Sequence, residues 1–385
     1  GSNGKTTTTR AIAAMLERSR AEWTGRVGLC GTGGVVIGGE QVTRGDYSGP
    51  AGARTVLRDP RVAAAVLETA RGGILRRGLA VEEADVAVVT NVSADHFGEY
   101  GIDTLDDIAE AKLAVARPLG DRGKLVMNAD DEVLMRFLPR LVCRVALFSL
   151  RGVPAMPNVA SCVLEDGALI LRHGAVVENL GPVAHMPLTV GGAADYNIAN
   201  LAAAALAAHA MGVHADAIRA VLLSFGESRA DNPGRFERWT RNGVNVVMDY
   251  AHNPDGLQRL LRVCASLRAG DGRLLLLLGQ AGNRTDTDIR DLARVAASFA
   301  PERVVIKELP EMLRGRAPGE VPGLLYAALT DAGISAARIE RIDGEVDAAL
   351  HLLNSARSGD VVVLPVHQKA TAEQLASELD AAHRS

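Results

Sequence analysis

The first seven residues carry the side chains that bind a nucleotide's phosphates. The run Gly1-Ser2-Asn3-Gly4-Lys5-Thr6-Thr7 combines small residues with one lysine and several hydroxyls. Small residues let successive backbone N–H groups converge on phosphate oxygens, Lys5 supplies a positive charge, and Thr6 offers a hydroxyl to Mg²⁺. A helix starting there would add its positive end to the attraction. The sequence therefore predicts an ATP site on this loop.

The spacing of the loop is shorter than the general pattern G-x-x-x-x-G-K-[ST], because two residues separate Gly1 from Gly4. Such loops normally follow a buried β-strand, so we expect apolar residues before Gly1 in the natural protein. The alternative, that Gly1-Ser2 is a cloning remnant, carries less weight because the lysine and threonine would still need a glycine near position 1.

Two more polar side chains follow predicted buried strands. Glu68 ends the run Val66-Leu67, and His96 comes shortly after Thr90-Asn91, which ends the next apolar run. The carboxyl ends of parallel strands form the edge where α/β sheets assemble ligand sites. Either residue alone would more often be a surface or capping group, but the phosphate-binding loop favours a functional reading. We predict Glu68 and His96 as metal ligands.

Composition limits the function classes. The chain has 385 residues, 48% of them hydrophobic and 23% charged, which suits two packed α/β domains. A net charge of −4 and only 3% aromatic residues argue against nucleic acid as a partner. The four cysteines lack C-x-x-C spacing and are predicted to be reduced core thiols. No apolar run approaches about 20 residues, so we expect no membrane span and a cytoplasmic location.

Helical and strand-like segments alternate along the chain, which predicts parallel sheets. Helices are predicted at residues 7–18, 105–115, 198–211 and 215–223. Strands are predicted at residues 63–67, 86–89, 244–248, 274–278, 304–306 and 361–364, with a β-hairpin excursion within residues 162–187. The polar stretch 227–234 marks a boundary between domains 1–231 and 232–385, and residues 232–234 are a candidate hinge. The predicted fold is α/β, a P-loop-type ATPase domain with a parallel sheet followed by a smaller Rossmann-like domain.

Several ordered motifs resemble the Mur ligases, which join amino acids to carboxylates at the expense of ATP. They span essentially the whole chain. The motifs are the loop at 1–7, Thr90-Asn91 with Asp95-His96, Ala111-Lys112, Asn128-Ala129-Asp130-Asp131, Asn197 to Asn200, Pro233-Gly234-Arg235-Phe236-Glu237, and Asp249-Tyr250-Ala251-His252-Asn253-Pro254. Within the family, the run from Glu68 to Gly78 is most similar to the C-terminal ligase module of cyanophycin synthetases.

The resemblance implies an ADP-forming ligase that adds arginine to aspartate β-carboxylates of an acidic peptide through an acyl phosphate. It implies that the loop and Lys5 hold ATP phosphates, and that Thr6 and Glu68 hold one Mg²⁺ ion. His96 would help to bind a second Mg²⁺, which a carbamylated Lys112 would position. An ordinary exposed helix lysine is the alternative for Lys112. The residues that the resemblance assigns to ATP binding are Gly1, Asn3, Gly4, Lys5, Thr6, Thr7, Asn197, Asn200, Arg235 and Asp249.

Substrate-binding candidates are more loosely defined. Arg71, Arg76 and Arg77 could hold the carboxylates of an acidic peptide, and a solvated charged loop is the equal alternative. His252 and Asn253 are further candidates. The segment from Gln280 to Asp288 departs from the residues expected of a cyanophycin synthetase, which leaves the incoming amino acid open. We expect His367 to be a satisfied surface histidine.

Other readings stay open at this point. The chain could be a stand-alone Mur-type ligase that joins another amino acid to a carboxylate, or a nucleotide-binding partner that activates a carboxylate for another protein. An upstream ATP-grasp domain or a separate subunit would then be its partner. The sequence also leaves open whether the chain forms a homo-oligomer.

Overall fold

A computed structural model describes residues 1–19, 25–94, 100–154 and 156–381. Contacts divide the chain into two compact units, Gly1–Asn232 and Pro233–Ser385. The division falls one residue after the predicted domain boundary. Each unit is described by itself.

The first unit alternates helices and strands. In chain order its elements are α1 (Lys5–Arg18), β1 (Arg26–Gly31), β2 (Gly34–Ile37), β3 (Glu40–Thr43), α2 (Pro50–Leu57), β4 (Val62–Leu67), α3 (Arg71–Arg77), β5 (Ala84–Val89), α4 (Leu105–Leu113), β6 (Leu119–Asn128), α5 (Glu132–Phe137), β7 (Arg144–Ser149), β8 (Ala160–Glu165), β9 (Ala168–His173), β10 (Val176–Pro182), α6 (Asp195–Ala210) and α7 (Ala215–Leu222).

These strands form two sheets. One has the order β3-β2-β1-β4 and the other β10-β9-β8-β7-β6-β5. Strands β1 and β4 pair in parallel, as do the successive strands β5 to β8. The predicted hairpin excursion is present as β8 to β10, and it extends the second sheet because β8 pairs with β7. Strands β4 and β5 end their sheets, and a cavity of about 410 Å³ is lined by residues of both.

Helix α6 is the central helix of this unit, and its sequence explains why. The run Ala202-Ala203-Ala204-Ala205 and the residues that follow it to Ala208 are all buried. Alanine favours helix strongly and its small side chain lets neighbouring backbones approach closely. Helix α6 packs against α1, so the helix that follows the phosphate-binding loop rests on a rigid support.

The second unit contains β11 (Glu237–Arg241), β12 (Val244–Asp249), α8 (Pro254–Ser266), β13 (Leu274–Leu278), α9 (Asp286–Ser298), β14 (Arg303–Glu308), α10 (Glu320–Asp331), β15 (Ile339–Asp343), α11 (Glu345–Asn354), β16 (Val361–Pro365) and α12 (Lys369–Ala381). They form one sheet with the order β11-β12-β16-β13-β14-β15. Only the β11–β12 pair is antiparallel among these neighbours. The central strands are apolar throughout because helices cover both faces of a parallel sheet. The α/β prediction is confirmed.

The prediction that the cysteines are reduced core thiols is confirmed for three of the four. Cys30, Cys162 and Cys264 are buried free thiols, and Cys143 is half-buried. Burial raises the pKa of Cys30 and of Cys162 to about 12, so both are protonated at neutral pH. Within the described ranges, the helices are all too short or too polar to cross a bilayer.

Candidate functional site

The phosphate-binding loop leads directly into α1. Gly4 is the N-cap residue of this helix; it has a left-handed backbone, φ +82°, and makes no side-chain capping bond. An α-helix leaves its first amides without intrahelical partners, and the helix dipole favours negative charge there. The Lys5 ammonium donates to the backbone oxygens of Gly1 and Ser2, each at 3.0 Å, so the loop curves around it.

The loop is fixed by the segment that follows β5. Asn3 N–H donates to Asn91 Oδ1 at 2.8 Å, and the Thr90 hydroxyl donates to the Asn3 carbonyl at 2.7 Å. Ser2 N–H donates to the Asn91 carbonyl at 2.9 Å. These bonds hold a short glycine-rich loop in one conformation, a role for Thr90 and Asn91 that a spacing pattern does not reveal.

Gly4 is required by its close approach to α6. A Cβ at this position would lie 2.0 Å from Asn200 Oδ1. Asn200 donates to Asn197 Oδ1 at 3.4 Å, and Asn197 donates to the Leu188 carbonyl at 3.0 Å. Two predicted nucleotide-binding residues of α6 are therefore buried beside the loop. Thr7 is also buried, and its hydroxyl accepts a hydrogen bond of 3.1 Å from the Asn232 amide.

Thr6 and Glu68 come together at the start of α1. The Thr6 hydroxyl donates to Glu68 Oε1 at 3.1 Å, and Thr32 N–H donates to Glu68 Oε2 at 3.4 Å. The hydroxyls of Thr6 and Thr32 are 3.3 Å apart. A Cβ on Gly31 would lie 2.5 Å from the Glu68 carboxylate, so the glycine makes room for it. Hydroxyl and carboxylate oxygens are the donors that Mg²⁺ prefers, and this donor set fits that ion.

Thr32 was missed by sequence reasoning. It lies in the tight β1–β2 connection, Gly31-Thr32-Gly33-Gly34, whose glycines mark a turn. This glycine-rich turn was the available signal, but its distance of 26 residues from Thr6 gave no reason to join the two.

Lys112 is buried, with 7% of its surface exposed. Its helix α4 begins at Leu105 because Thr104 and Asp107 form a capping box. Lys112 lines the same cavity as Gly1, Lys5 and Glu68. The alternative of an exposed helix lysine is wrong. His96 lies outside the described residues.

The three arginines that follow Glu68 lie in different surroundings. Arg71 lines the cavity with Lys5, Glu68 and Lys112, whereas Arg76 and Arg77 are exposed at the end of α3. The Arg76 guanidinium donates to the Gly72 carbonyl at 3.0 Å, which holds it along its own helix. The structure thus brings Arg71, but not its two neighbours, to the cavity of the loop.

In the second unit, Asp249 and Arg235 form a polar cluster at the end of β12. Phe236 N–H donates to Asp249 Oδ2 at 2.7 Å, and the Arg235 guanidinium carbon lies 4.5 Å from the Tyr250 ring centre. Burial raises the pKa of Asp249, while Arg235 and backbone N–H groups oppose that rise. Asp249 therefore accepts a hydrogen bond from the turn before β11 and lies close enough to Arg235 to interact with its charge.

His252 and Asn253 have identifiable local roles. The Asn253 side chain accepts from Gly256 N–H at 2.8 Å, and Pro254 follows it, so the pair starts α8. The His252 carbonyl accepts from Gln280 Nε2 at 2.8 Å, and its ring lies 5.2 Å from that of Tyr250. The structure thus assigns Asn253 to helix capping and places the His252 ring beside the Asp249 cluster.

In the segment from Gln280 to Asp288, the aspartates form contacts within the second unit. Asp288 forms a capping box with Thr285 at the start of α9. Asp286 pairs with Arg316 at 2.9 Å, and Arg316 also donates to the carbonyls of Gly282 and Arg284. These carboxylates stabilise the fold of this segment, and Arg316 stabilises the loop that carries them.

The prediction of a surface position for His367 is wrong. Its side chain is buried, its Nε2 lies 3.2 Å from the Ala251 carbonyl, and its Nδ1 has no partner among the described atoms. Below it, Lys307 pairs with Glu345, and Glu345 also accepts from the His367 and Gln368 N–H groups. Burial lowers the pKa of Lys307, and the Glu345 charge opposes that shift. Sequence spacing missed this network because its members are far apart in the chain.

Comparisons with known proteins agree with this architecture. Residues 1–208 match the Mur ligase middle domain and residues 234–365 match the Mur ligase glutamate ligase domain. The chain is 35% identical to the cyanophycin synthetase of Synechocystis sp. over 374 residues, 95% of this chain and 42% of that protein. It is 26% identical to the UDP-N-acetylmuramoyl-L-alanyl-D-glutamate–2,6-diaminopimelate ligase of Bacillus velezensis, over 98% of this chain and 74% of that protein.

The structure of E. coli FolC with ADP shares the fold, with a TM-score of 0.72 and 20% identity over 100% of this chain and 89% of that one. The chain belongs to the Mur ligase family. It is similar to cyanophycin synthetases in particular, and it spans about two fifths of the length of those it matches.

Proposed function

We propose that this chain is an ATP-dependent, ADP-forming ligase that joins an amino acid to a carboxylate through an acyl phosphate. The specific reaction we propose is the addition of arginine to aspartate β-carboxylates of an acidic peptide. The observation that carries the proposal is the group formed by Lys5, Thr6 and Glu68 at the N-terminus of α1. Family membership and the similarity to cyanophycin synthetases support the choice of reaction.

Different residues of the first unit would bind different parts of ATP and its metal ions. The loop amides and Lys5 hold the phosphates, since a helix N-terminus with a lysine attracts anions. Asn197 and Asn200 are proposed to contact the nucleoside. Thr6 and Glu68 would hold Mg²⁺, and His96 with Lys112 a second ion. When bound, Mg²⁺ supplies positive charge that offsets the charge on the transferred phosphoryl group.

The reaction balances as two displacements. An oxygen of the substrate carboxylate attacks the γ-phosphorus and ADP leaves. The amine lone pair then attacks the acyl carbon, phosphate leaves with the bonding electrons, and the nitrogen gives up a proton. Activation is needed because a carboxylate is a poor acyl donor. Water competes for the acyl phosphate, so exclusion of water protects it.

Arg71 is proposed to hold the acidic peptide. It lines the cavity of the phosphate-binding loop, and a guanidinium forms paired hydrogen bonds with a carboxylate. Arg76 and Arg77 are exposed and receive no substrate role. Arg235 and Asp249 of the second unit are proposed to bind the nucleotide.

The test is Mg²⁺-dependent phosphate release from ATP by this chain, with aspartate-rich peptides and each amino acid in turn, and with product masses recorded. Arginine-dependent release with a matching mass gain supports the proposal. Release with another amine keeps the ligase and replaces its substrate. Amine-independent turnover, or dependence on a second protein, supports the partner reading instead.

Two matched variants separate chemistry from folding. Lys5→Ala should abolish phosphate release, whereas Lys369→Ala, at an exposed position of α12, should leave it unchanged. Binding of a fluorescent ATP analogue gives a second readout. If Lys5→Ala binds ATP and turns over like the parent protein, the loop does not hold the phosphates and the proposal fails.

Carbamylation of Lys112 has its own test. Incubation with ¹³C-labelled bicarbonate should give a carbamate signal in ¹³C NMR that Lys112→Ala lacks and Lys124→Ala retains. Equal signals in the two variants would refute the assignment of the modification to Lys112.

A further inference from the structure

Two histidines and a glutamate come together at the end of α6 that is distant from the phosphate-binding loop. His173 is the last residue of β9, Glu178 lies in β10, and His209 lies in the last turn of α6. Asn200, beside the loop, is nine residues earlier in the same helix, which corresponds to about 14 Å at 1.5 Å per residue. The cluster is therefore separate from the proposed ATP site.

The strand register brings the first two side chains to one face. His173 pairs with Val176 across the β9–β10 turn, so Glu178, two residues further on, is its diagonal neighbour. The His173 Nε2 and Glu178 Oε2 atoms are 3.2 Å apart. A hydrogen bond between them would explain that pair alone, but it does not explain why a second imidazole is placed beside it.

His209 completes the group from the helix. Its ring centre lies 4.3 Å from that of His173 with an interplanar angle of 41°. One ligand atom from each of the three residues can be chosen so that all lie within 4.8 Å of one another. Bonds of about 2.1 Å in a tetrahedral site put ligand atoms about 3.4 Å apart. The His173–Glu178 pair already has about this spacing, and a ring nitrogen of His209 lies within 4.8 Å of a ligand atom of each.

We propose that His173, Glu178 and His209 bind one divalent first-row transition metal ion such as Zn²⁺, Co²⁺ or Ni²⁺. Imidazole nitrogens suit these ions, whereas Mg²⁺ and Ca²⁺ prefer oxygen ligands. Each of the three residues is half-buried, so the ion enters from solvent and water fills the remaining coordination. The bound ion links the β9–β10 hairpin to α6 and stabilises their packing.

Charged residues near His209 should set how tightly this site binds a cation. Lys124 of β6 acts electrostatically on His209 and opposes a cation there, while the Glu178 carboxylate favours one. Replacement of Lys124 by methionine should therefore tighten metal binding several-fold.

The experiment is titration of the EDTA-treated full chain with Co²⁺, followed by visible absorption, and with Zn²⁺ in a calorimeter. We expect one site that His173→Ala, His209→Ala and Glu178→Gln each weaken at least tenfold. His185→Ala, which removes an exposed histidine of the same unit, should leave it unchanged. The melting temperature should rise with Zn²⁺ in the parent protein and not in His209→Ala.

Folding of each variant is checked by circular dichroism and by urea unfolding without added metal. A variant that keeps its spectrum and its unfolding transition but loses the metal supports the site. Absence of binding in the parent protein, or unchanged affinity in both folded histidine variants, overturns it. These results do not depend on ligase activity, so they are distinct from the fate of the proposed function.

Discussion

Replacement of Gly4 by alanine tests how closely the loop and α6 must approach. The left-handed backbone at φ +82° costs a residue with a Cβ about 1–2 kcal/mol. The new Cβ would also lie 2.0 Å from Asn200 Oδ1 and 2.8 Å from its Cγ, inside ordinary contact distance. Asn200 is buried, and overpacking of this kind costs about 1–3 kcal/mol more. We expect Gly4→Ala to lower the free energy of unfolding of the first unit by about 2–5 kcal/mol.

Two companion variants separate the two causes. Gly212→Ala meets the same backbone strain, φ +91°, but its Cβ would have open space, so it should cost only about 1–2 kcal/mol. In an Asn200→Ala background, Gly4→Ala should lose its steric component, which gives a coupling of about 1–3 kcal/mol.

The assay is urea unfolding followed by hydrogen exchange of peptides from α1, which reports on the first unit alone. Equal costs for Gly4→Ala and Gly212→Ala, or the same cost for Gly4→Ala with and without Asn200, would refute the argument from close approach. ATP-analogue affinity of the folded variants then shows whether the same displacement weakens the phosphate site.

Lys307→Met should destabilise the second unit by about 3–5 kcal/mol, because it leaves the Glu345 carboxylate buried without its cation. The double variant Lys307→Met/Glu345→Gln should recover part of that stability, and urea unfolding measures both variants. Burial, and after it Lys307, hold the pKa of His367 well below its ordinary value, so below about pH 6.5 the unfolded chain takes up a proton that the folded chain does not. Stability should therefore fall as the pH drops below that value, by up to about 1.4 kcal/mol per pH unit, and His367→Gln should flatten the slope in urea titrations at several pH values. An unchanged slope would show that other groups cause it. Thr6→Val should weaken Mg²⁺-dependent ATP binding about tenfold or more while Thr6→Ser retains it, and equal Mg²⁺ dependence in the two would contradict a metal role for the hydroxyl.

Much of the fold follows from local sequence. The apolar run Leu274–Leu278 is five leucines long, all buried, and such a short continuous run is typical of an internal strand of a covered sheet. The alanine-rich segment of α6 has little alternative to a packed helix. The predicted start of α4 at Leu105 is confirmed, and Thr104 caps it, whereas the helix ends at Leu113, two residues before the predicted end. The fold class, the helix after the phosphate-binding loop and the positions of the apolar strands are properties that near neighbours in the chain specify.

The composition of the candidate site was only partly visible in the sequence. Lys5, Thr6 and Gly4 stand together in a motif, and their chemistry could be inferred without a structure. Glu68 could be proposed because it ends a strand. Thr32 could not, since its contact with Thr6 depends on how two turns meet.

The sequence by itself determined which residues could bind phosphate and which segments must be buried, because both depend on residue type and short spacing. Only the tertiary structure decided that Arg71 lies at the cavity while Arg77 is exposed, that His367 is buried, and that His173 and His209 are neighbours. The physical reason is that these outcomes depend on strand register and helix packing between segments far apart in the chain. Such contacts are set by the burial of the whole core, which no local pattern encodes.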